Sequence, residues 1–171
     1  YDLWALSVRD RKPYRLLGEA FNEWAGVFSP DMRWVAYVSL ETGPEAEVYV
    51  RPFRVSEQTG QPSLGEGKWQ VSKDAGNWPK WIGKDIIFND LPGGTSLFAV
   101  RVNTSGAVFE SVIPQRLFTA PIAGNYQFQV SPDADAQRFL WAEPQTQRTA
   151  QVPITVVLNW QEELKQRMST K

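Results

Sequence analysis

Phe28-Ser29-Pro30-Asp31-Met32-Arg33-Trp34-Val35-Ala36-Tyr37-Val38-Ser39 reads as a strand end, a tight turn and a second strand. Pro30 follows Ser29 at the first central turn position, where its fixed φ suits a type I turn. The run from Trp34 to Ser39 is apolar on both faces instead of alternating, as in a sheet sandwiched between neighbours. Working outward, the stretch begins with Glu23-Trp24, a polar residue followed by an aromatic. The same opening recurs at Asn77-Trp78, which leads into Lys80-Trp81-Ile82-Gly83, and at Asn125-Tyr126, which leads into Gln129-Val130-Ser131-Pro132-Asp133. Recurrence at a period of about 50 residues implies a repeat architecture, here one of antiparallel strands.

The strand register can be laid out as four-stranded blades, with strands A to D running from the innermost outwards. Strand A falls at 23–29, 77–82 and 126–131, and strand B at 34–39, 85–88 and 138–142. Strand C falls at 47–50, 96–100 and 154–158, and strand D at 68–72 and 115–118. Gly93-Gly94 and Asn103-Thr104-Ser105-Gly106 supply the backbone freedom of tight connections. The stretch from Ser56 to Gly67 reads as a long loop between C and D. Asp2 to Leu6 and Lys12 to Leu17 match strands C and D of an earlier blade. The expected fold is therefore all-β: a partial β-propeller with two complete and two incomplete blades over residues 1–158. Residues 159–171 read as a short C-terminal helix and tail, with Asn159 as its cap and Trp160, Leu164 and Met168 on one stripe.

Composition narrows the chemistry. The 171 residues include eight Trp, nine Phe and five Tyr, which suits aromatic packing in a β-rich fold. A formal net charge of −1 gives no sign of a nucleic-acid or anionic-membrane partner. No run approaches the ~20 apolar residues that insert across a bilayer. With no Cys there are no disulfides or thiolate metal sites, and with no His there is no Ser-His-Asp or Cys-His scheme. Asp31, Asp90, Asp133 and Asp135, and the group Glu41, Glu45 and Glu47, read as solvated turn or strand-end residues instead of a glycosidase pair. Asp133 and Asp135 lack the Gly turn and distal acid of an EF-hand. No catalytic residue, metal ligand or cofactor site is expected.

The order of these motifs resembles the repeat of TolB-like propellers, through Phe28 to Ser39 and on through Glu47-Val48-Tyr49-Val50-Arg51-Pro52-Phe53. A closer resemblance, to the C-terminal part of propellers attached to bacterial eukaryotic-like serine/threonine kinases, is carried by four stretches. They are Val48 to Phe53, Lys68-Trp69-Gln70-Val71-Ser72, Arg116-Leu117-Phe118 and Pro153-Ile154-Thr155-Val156-Val157-Leu158-Asn159-Trp160. The chain departs from the pattern at Met32 and Ala134, where the repeat usually has Gly, and at Ile82-Gly83-Lys84-Asp85, which replaces Ser-Pro-Asp. The resemblance implies a non-catalytic sensory or protein-interaction module of a larger signalling protein, on the extracytoplasmic side of a bacterial membrane. The alternatives are a propeller fragment of a hydrolase or peptidase whose catalytic domain lies elsewhere, and a half-propeller that self-assembles.

In a propeller the start of strand A sits at the mouth of the central channel. Glu23, Trp24, Asn77, Trp78, Asn125 and Tyr126 are thus the candidate ring for a protein or small-molecule ligand. The competing reading has these aromatics packing between blades. Closed propellers have roughly four to eight blades, so self-association, or complementation by further blades, is the expected route to a closed ring.

Overall fold

The structure is a computed structural model that describes residues 1–90, 96–105, 108–120, 128–131 and 138–141. All of its regular elements are strands, and every strand pair is antiparallel. β1 (Trp4–Ser7) and β2 (Lys12–Arg15) form a two-stranded sheet. β3 (Glu23–Phe28), β4 (Trp34–Ser39) and β5 (Glu47–Val55) form a meander, and β6 (Pro62–Leu64) and β7 (Trp69–Gln70) both pair with β5. The plan then repeats. β8 (Asn77–Ile82), β9 (Asp85–Asn89) and β10 (Ser96–Asn103) form a meander, with β11 (Glu110–Ser111) and β12 (Gln115–Thr119) both on β10. β13 (Gln129–Val130) and β14 (Phe139–Leu140) form the last pair.

The two large sheets share a device that the sequence reading missed. Their third strand is long enough to hold two partners along its outer edge. β7 covers Tyr49 and Val50 while β6 covers Phe53 to Val55, and β12 covers Ser96 to Ala99 while β11 covers Val102 and Asn103. The stretch from Ser56 to Gly67, read as loop, thus contains a strand. Pro62 can serve there because it opens β6 at a sheet edge, where a missing N–H does little harm. The expected C-terminal helix at 159–171 and the third C strand at 154–158 lie outside the described residues. No helix occurs among the described ones.

Both large sheets bulge at the same place. Ala25 and Gly26 together oppose Tyr37, and Trp78 and Pro79 together oppose Phe88. Ala25 takes φ +53° and Trp78 φ +50°, the left-handed conformation that opens a bulge of this kind. Gly26 also lets β1 approach, since a Cβ there would lie 2.6 Å from the Leu3 side chain. At the other end of β8, a two-residue hairpin with Gly83 at φ +55° stands where the first sheet uses Ser29-Pro30-Asp31.

Alternation along the strands gives each large sheet two buried faces. Trp34, Ala36, Val38, Val48, Val50 and Val71 pack against Trp81, Ile86, Phe88, Val100, Val102 and Phe109 of the next sheet. Val35, Tyr37, Tyr49 and Phe53 point the other way, onto Leu3, Leu16 and Leu17 beside β1 and β2. Ile87 and Leu97 pack with Phe128, Val130 and Phe139 around β13 and β14. The sheets therefore stack face to face in chain order. Each fully buried Val, Ile or Phe contributes about 1.5–3 kcal/mol. An aromatic trio caps the central layer, with ring centroids 5.7 Å apart for Trp34–Trp69, 5.3 Å for Trp34–Phe109 and 5.4 Å for Trp69–Phe109.

Candidate functional site

The end of the stack where β3, β5 and β8 begin and β4 and β9 finish is built from buried polar residues. In the first large sheet Glu23, Ser39 and Glu47 stand side by side across three strands, and in the second Asn77 stands beside Asn89. All five are at most 7% exposed. Buried polar side chains need partners, because an unmet group costs about 1–3 kcal/mol. Most of these have one. Glu47 accepts the Ser72 hydroxyl, and Ser72 Oγ in turn accepts the Val48 N–H at 2.7 Å. Ser39 Oγ accepts the Glu41 N–H at 3.2 Å.

The polar–aromatic pairs do a specific job. Trp24 Nε1 donates to Asn77 Oδ1 at 3.0 Å, and the same oxygen accepts the Trp78 N–H at 2.9 Å. One pair therefore grips the next across the gap between sheets, and Asn77 holds the left-handed residue of its own bulge. Trp24 and Trp78 are both half-buried; Trp24 packs on the central cluster and Trp78 on the cluster around Ile87 and Phe128. Asn125 and Tyr126 lie outside the described residues.

Asn89 and Glu23 are the exceptions. Asn89 Oδ1 and Glu23 Oε2 are both buried with no hydrogen-bond partner among the described residues, although Glu23 holds the position that Asn77 holds in the next sheet. Burial, with Glu19 and Asp2 nearby, pushes its carboxyl above the usual carboxylate range. Three ion pairs lie among the neighbouring charges. Lys68 pairs with Glu41 and sits 5.6 Å from the centre of the Tyr49 ring, Arg15 pairs with Asp2 at 2.8 Å, and Arg51 reaches Glu19 at 3.7 Å.

Sequence reasoning placed Glu47 on the solvated surface and did not single out Ser72; the structure buries both and bonds them together. The available signal was register: Glu47 opens a strand whose next three residues are all buried. Glu23 and Glu47 lie two strands apart, about 9–10 Å at sheet spacing. Both are buried. Asp31 serves its turn. Burial works against its ionisation, but bonds from the Ser29 hydroxyl and the Arg33 N–H outweigh it and hold its carboxyl below the usual range. Asp133 and Asp135 lie outside the described residues, and among the described ones no three acidic groups gather as metal ligands. A groove at the opposite end of the stack, lined by Arg33, Pro52, Arg54, Glu66 and Trp69, contains none of the sequence-predicted residues.

Comparison with family models, curated proteins and solved structures gives no match to this chain.

Proposed function

We propose that this chain is part of a TolB-like β-propeller acting as a non-catalytic interaction module of a larger bacterial signalling protein, a receptor-type serine/threonine kinase. The observation that carries the reading is the repeated sheet. Two meanders share one plan, one bulge position and one polar–aromatic opening, and they are joined by the Trp24–Asn77 bond. Repetition of this kind builds a rigid platform whose rim loops are free to vary, which favours recognition over chemistry. The binding face in this reading is the rim carrying Glu23, Trp24, Asn77 and Trp78, with the half-buried indoles as contact surface for a peptide segment of a protein partner. The absence of His and Cys from the sequence leaves no familiar nucleophile–base arrangement, in keeping with a module that binds and does not turn over.

Selection from a random-peptide phage library against the 171-residue chain tests the binding role, followed by calorimetric titration of the enriched peptides. The expected result is saturable binding that is lost in the Trp24→Ala/Trp78→Ala variant while its far-UV spectrum is kept. No enrichment over a scrambled library overturns the binding role. Turnover of ester, peptide, glycoside or nucleotide substrates, lost on a point substitution in this chain, overturns its non-catalytic character. For the signalling assignment, kinase signature motifs in the parent reading frame are the expected finding and a hydrolase domain the contrary one.

A further inference from the structure

The two large sheets carry a groove at the same place, at the end of the stack away from the polar–aromatic pairs. In the first sheet it lies between the β3–β4 turn, the far half of β5 and the loop that leads into β7. Arg33, Trp34, Pro52, Arg54, Glu66 and Trp69 line it. In the second sheet Lys84, Arg101, Asn103 and Glu110 line its counterpart. The backbone fixes the correspondence. Phe53 N–H donates to the Arg33 carbonyl at 2.7 Å, and Val102 N–H donates to the Lys84 carbonyl at 2.8 Å. Arg33 thus matches Lys84, and Arg54 matches Asn103.

The two grooves differ in what their polar groups do. In the second sheet Arg101 holds Asp85 through bonds of 3.0 and 3.1 Å, and Asn103 donates to Glu110 at 3.0 Å. In the first sheet Arg33, Arg54 and Glu66 form no ion pair among the described residues. Asp31, in the same turn as Arg33, already accepts the Ser29 hydroxyl and the Arg33 N–H. The Arg33 charge helps to keep Asp31 ionised, but from beyond ion-pair distance. Trp34, only 5% exposed, buries an Nε1 donor that has no acceptor among the described residues. Such a donor is rare in a protein interior.

The walls of this groove are fixed by their own bonds. Gly65 N–H donates to the Pro52 carbonyl at 2.8 Å, and the Gly65 carbonyl accepts from Arg51 Nη2 at 3.0 Å, which pins the loop that carries Glu66. Gly67 stands at φ +90°, and a Cβ there would lie 2.5 Å from the Trp69 ring, so this glycine lets the indole fold against the loop. Trp69 also packs on Trp34 and Phe109. The space beside it is about 450 Å³, within the roughly 300–1,000 Å³ of small-ligand sites.

We propose that this groove binds an N-acylated amino acid through its free carboxylate, either as a small molecule or as the C-terminal residue of a protein partner. Arg33 and Arg54 hold the carboxylate, which a guanidinium grips with two parallel bonds. Glu66 accepts the amide N–H, and its charge turns away phosphates and other polyanions. The acyl carbonyl is the acceptor that Trp34 Nε1 lacks, and Trp69 takes the apolar side chain.

The site is separate from the rim of the proposed function, so the two fail separately. In nitrogen–proton spectra of the 171-residue chain, the indole N–H signals of Trp34 and Trp69 report on the groove. N-acetyl-phenylalanine should move both signals saturably, and the Trp24→Ala/Trp78→Ala variant should keep the response. N-acetyl-phenylalaninamide, the same body without the charge, should bind at least about tenfold more weakly. The acid should lose affinity by a similar factor for Arg33→Gln/Arg54→Gln, whose far-UV spectrum should be unchanged. Lys84→Gln, at the matching place in the second sheet, should bind as wild type does. Tighter binding of acetyl-dialanyl-phenylalanine than of N-acetyl-phenylalanine assigns the ligand to a protein chain end; equal affinities assign it to a small molecule. No shift of either indole signal, equal binding of acid and amide, or an equal loss in Lys84→Gln overturns the proposal.

Discussion

Ser29→Ala removes one hydroxyl that serves three groups. Ser29 Oγ accepts the Trp34 N–H at 3.0 Å and the Arg33 N–H at 3.2 Å, and donates to Asp31 Oδ1 at 2.6 Å. After truncation the Arg33 amide still has Asp31 Oδ1 at 3.1 Å, but the buried Trp34 amide has no acceptor. Leaving a buried donor unmet costs about 1–3 kcal/mol, and losing the bond to the Asp31 carboxylate adds to it, so we expect a total of about 2–3 kcal/mol. In a chain of this size that lowers Tm by roughly 5–10 °C. Ser131 opens an identical Ser-Pro-Asp motif in the sequence, yet among the described residues its hydroxyl accepts only from the exposed Arg138 amide, at 3.3 Å. Ser131→Ala should therefore cost about 0.5 kcal/mol. Urea melts of both variants, with m unchanged from wild type, measure the difference. Equal losses for the two serines would refute the reasoning, since the buried Trp34 amide and the bond to Asp31 set Ser29 apart.

Met32 sits at φ +57°, a left-handed conformation that Gly adopts without strain, so Met32→Gly should stabilise the fold by about 1 kcal/mol in the same melts; a destabilised variant would contradict the strain. Glu23 titrates above the usual carboxylate range because it is buried near Glu19 and Asp2, so its protonated form favours the folded state. That contribution is present at acid pH and is lost as pH rises through the raised value. Glu23→Gln should thus be more stable than wild type at pH 7 to 8, with the gap closing toward pH 4.5 in urea midpoints; a gap independent of pH would count against the buried carboxyl. Phe88→Ala, at a side chain 1% exposed between the two large sheets, should cost about 3–5 kcal/mol in chemical denaturation. A loss below about 1 kcal/mol would show that this face is not packed.

Much of the fold is legible in the residues because strand pattern and turn chemistry agree. The run Trp34 to Ser39 is buried at every position, as its two-sided apolar pattern requires, and Ile82-Gly83-Lys84-Asp85 gives the short hairpin its Gly calls for. What stayed hidden depends on contacts distant in sequence. β6 and β11 are strands only because β5 and β10 run long enough to offer each an edge, and a stretch such as Pro62-Ser63-Leu64 carries no pattern of its own. The burial of Glu47 depends on Ser72, which lies 25 residues away. The recurrence of Glu23-Trp24 and Asn77-Trp78 was visible, but the bond that joins the two pairs was not, because it needs the distance between sheets.

That bond is the most direct probe of the stacking of one sheet on the next, the arrangement on which the proposed interaction face depends. A double-mutant cycle with Trp24→Phe, which keeps a ring but removes the N–H, and Asn77→Ala, which removes the acceptor, isolates it. A coupling of about 0.5–1.5 kcal/mol in urea unfolding is the predicted result for one part-buried hydrogen bond 3.0 Å long. Additive losses, with a coupling within about 0.3 kcal/mol of zero, would contradict the joining of the two sheets at this end.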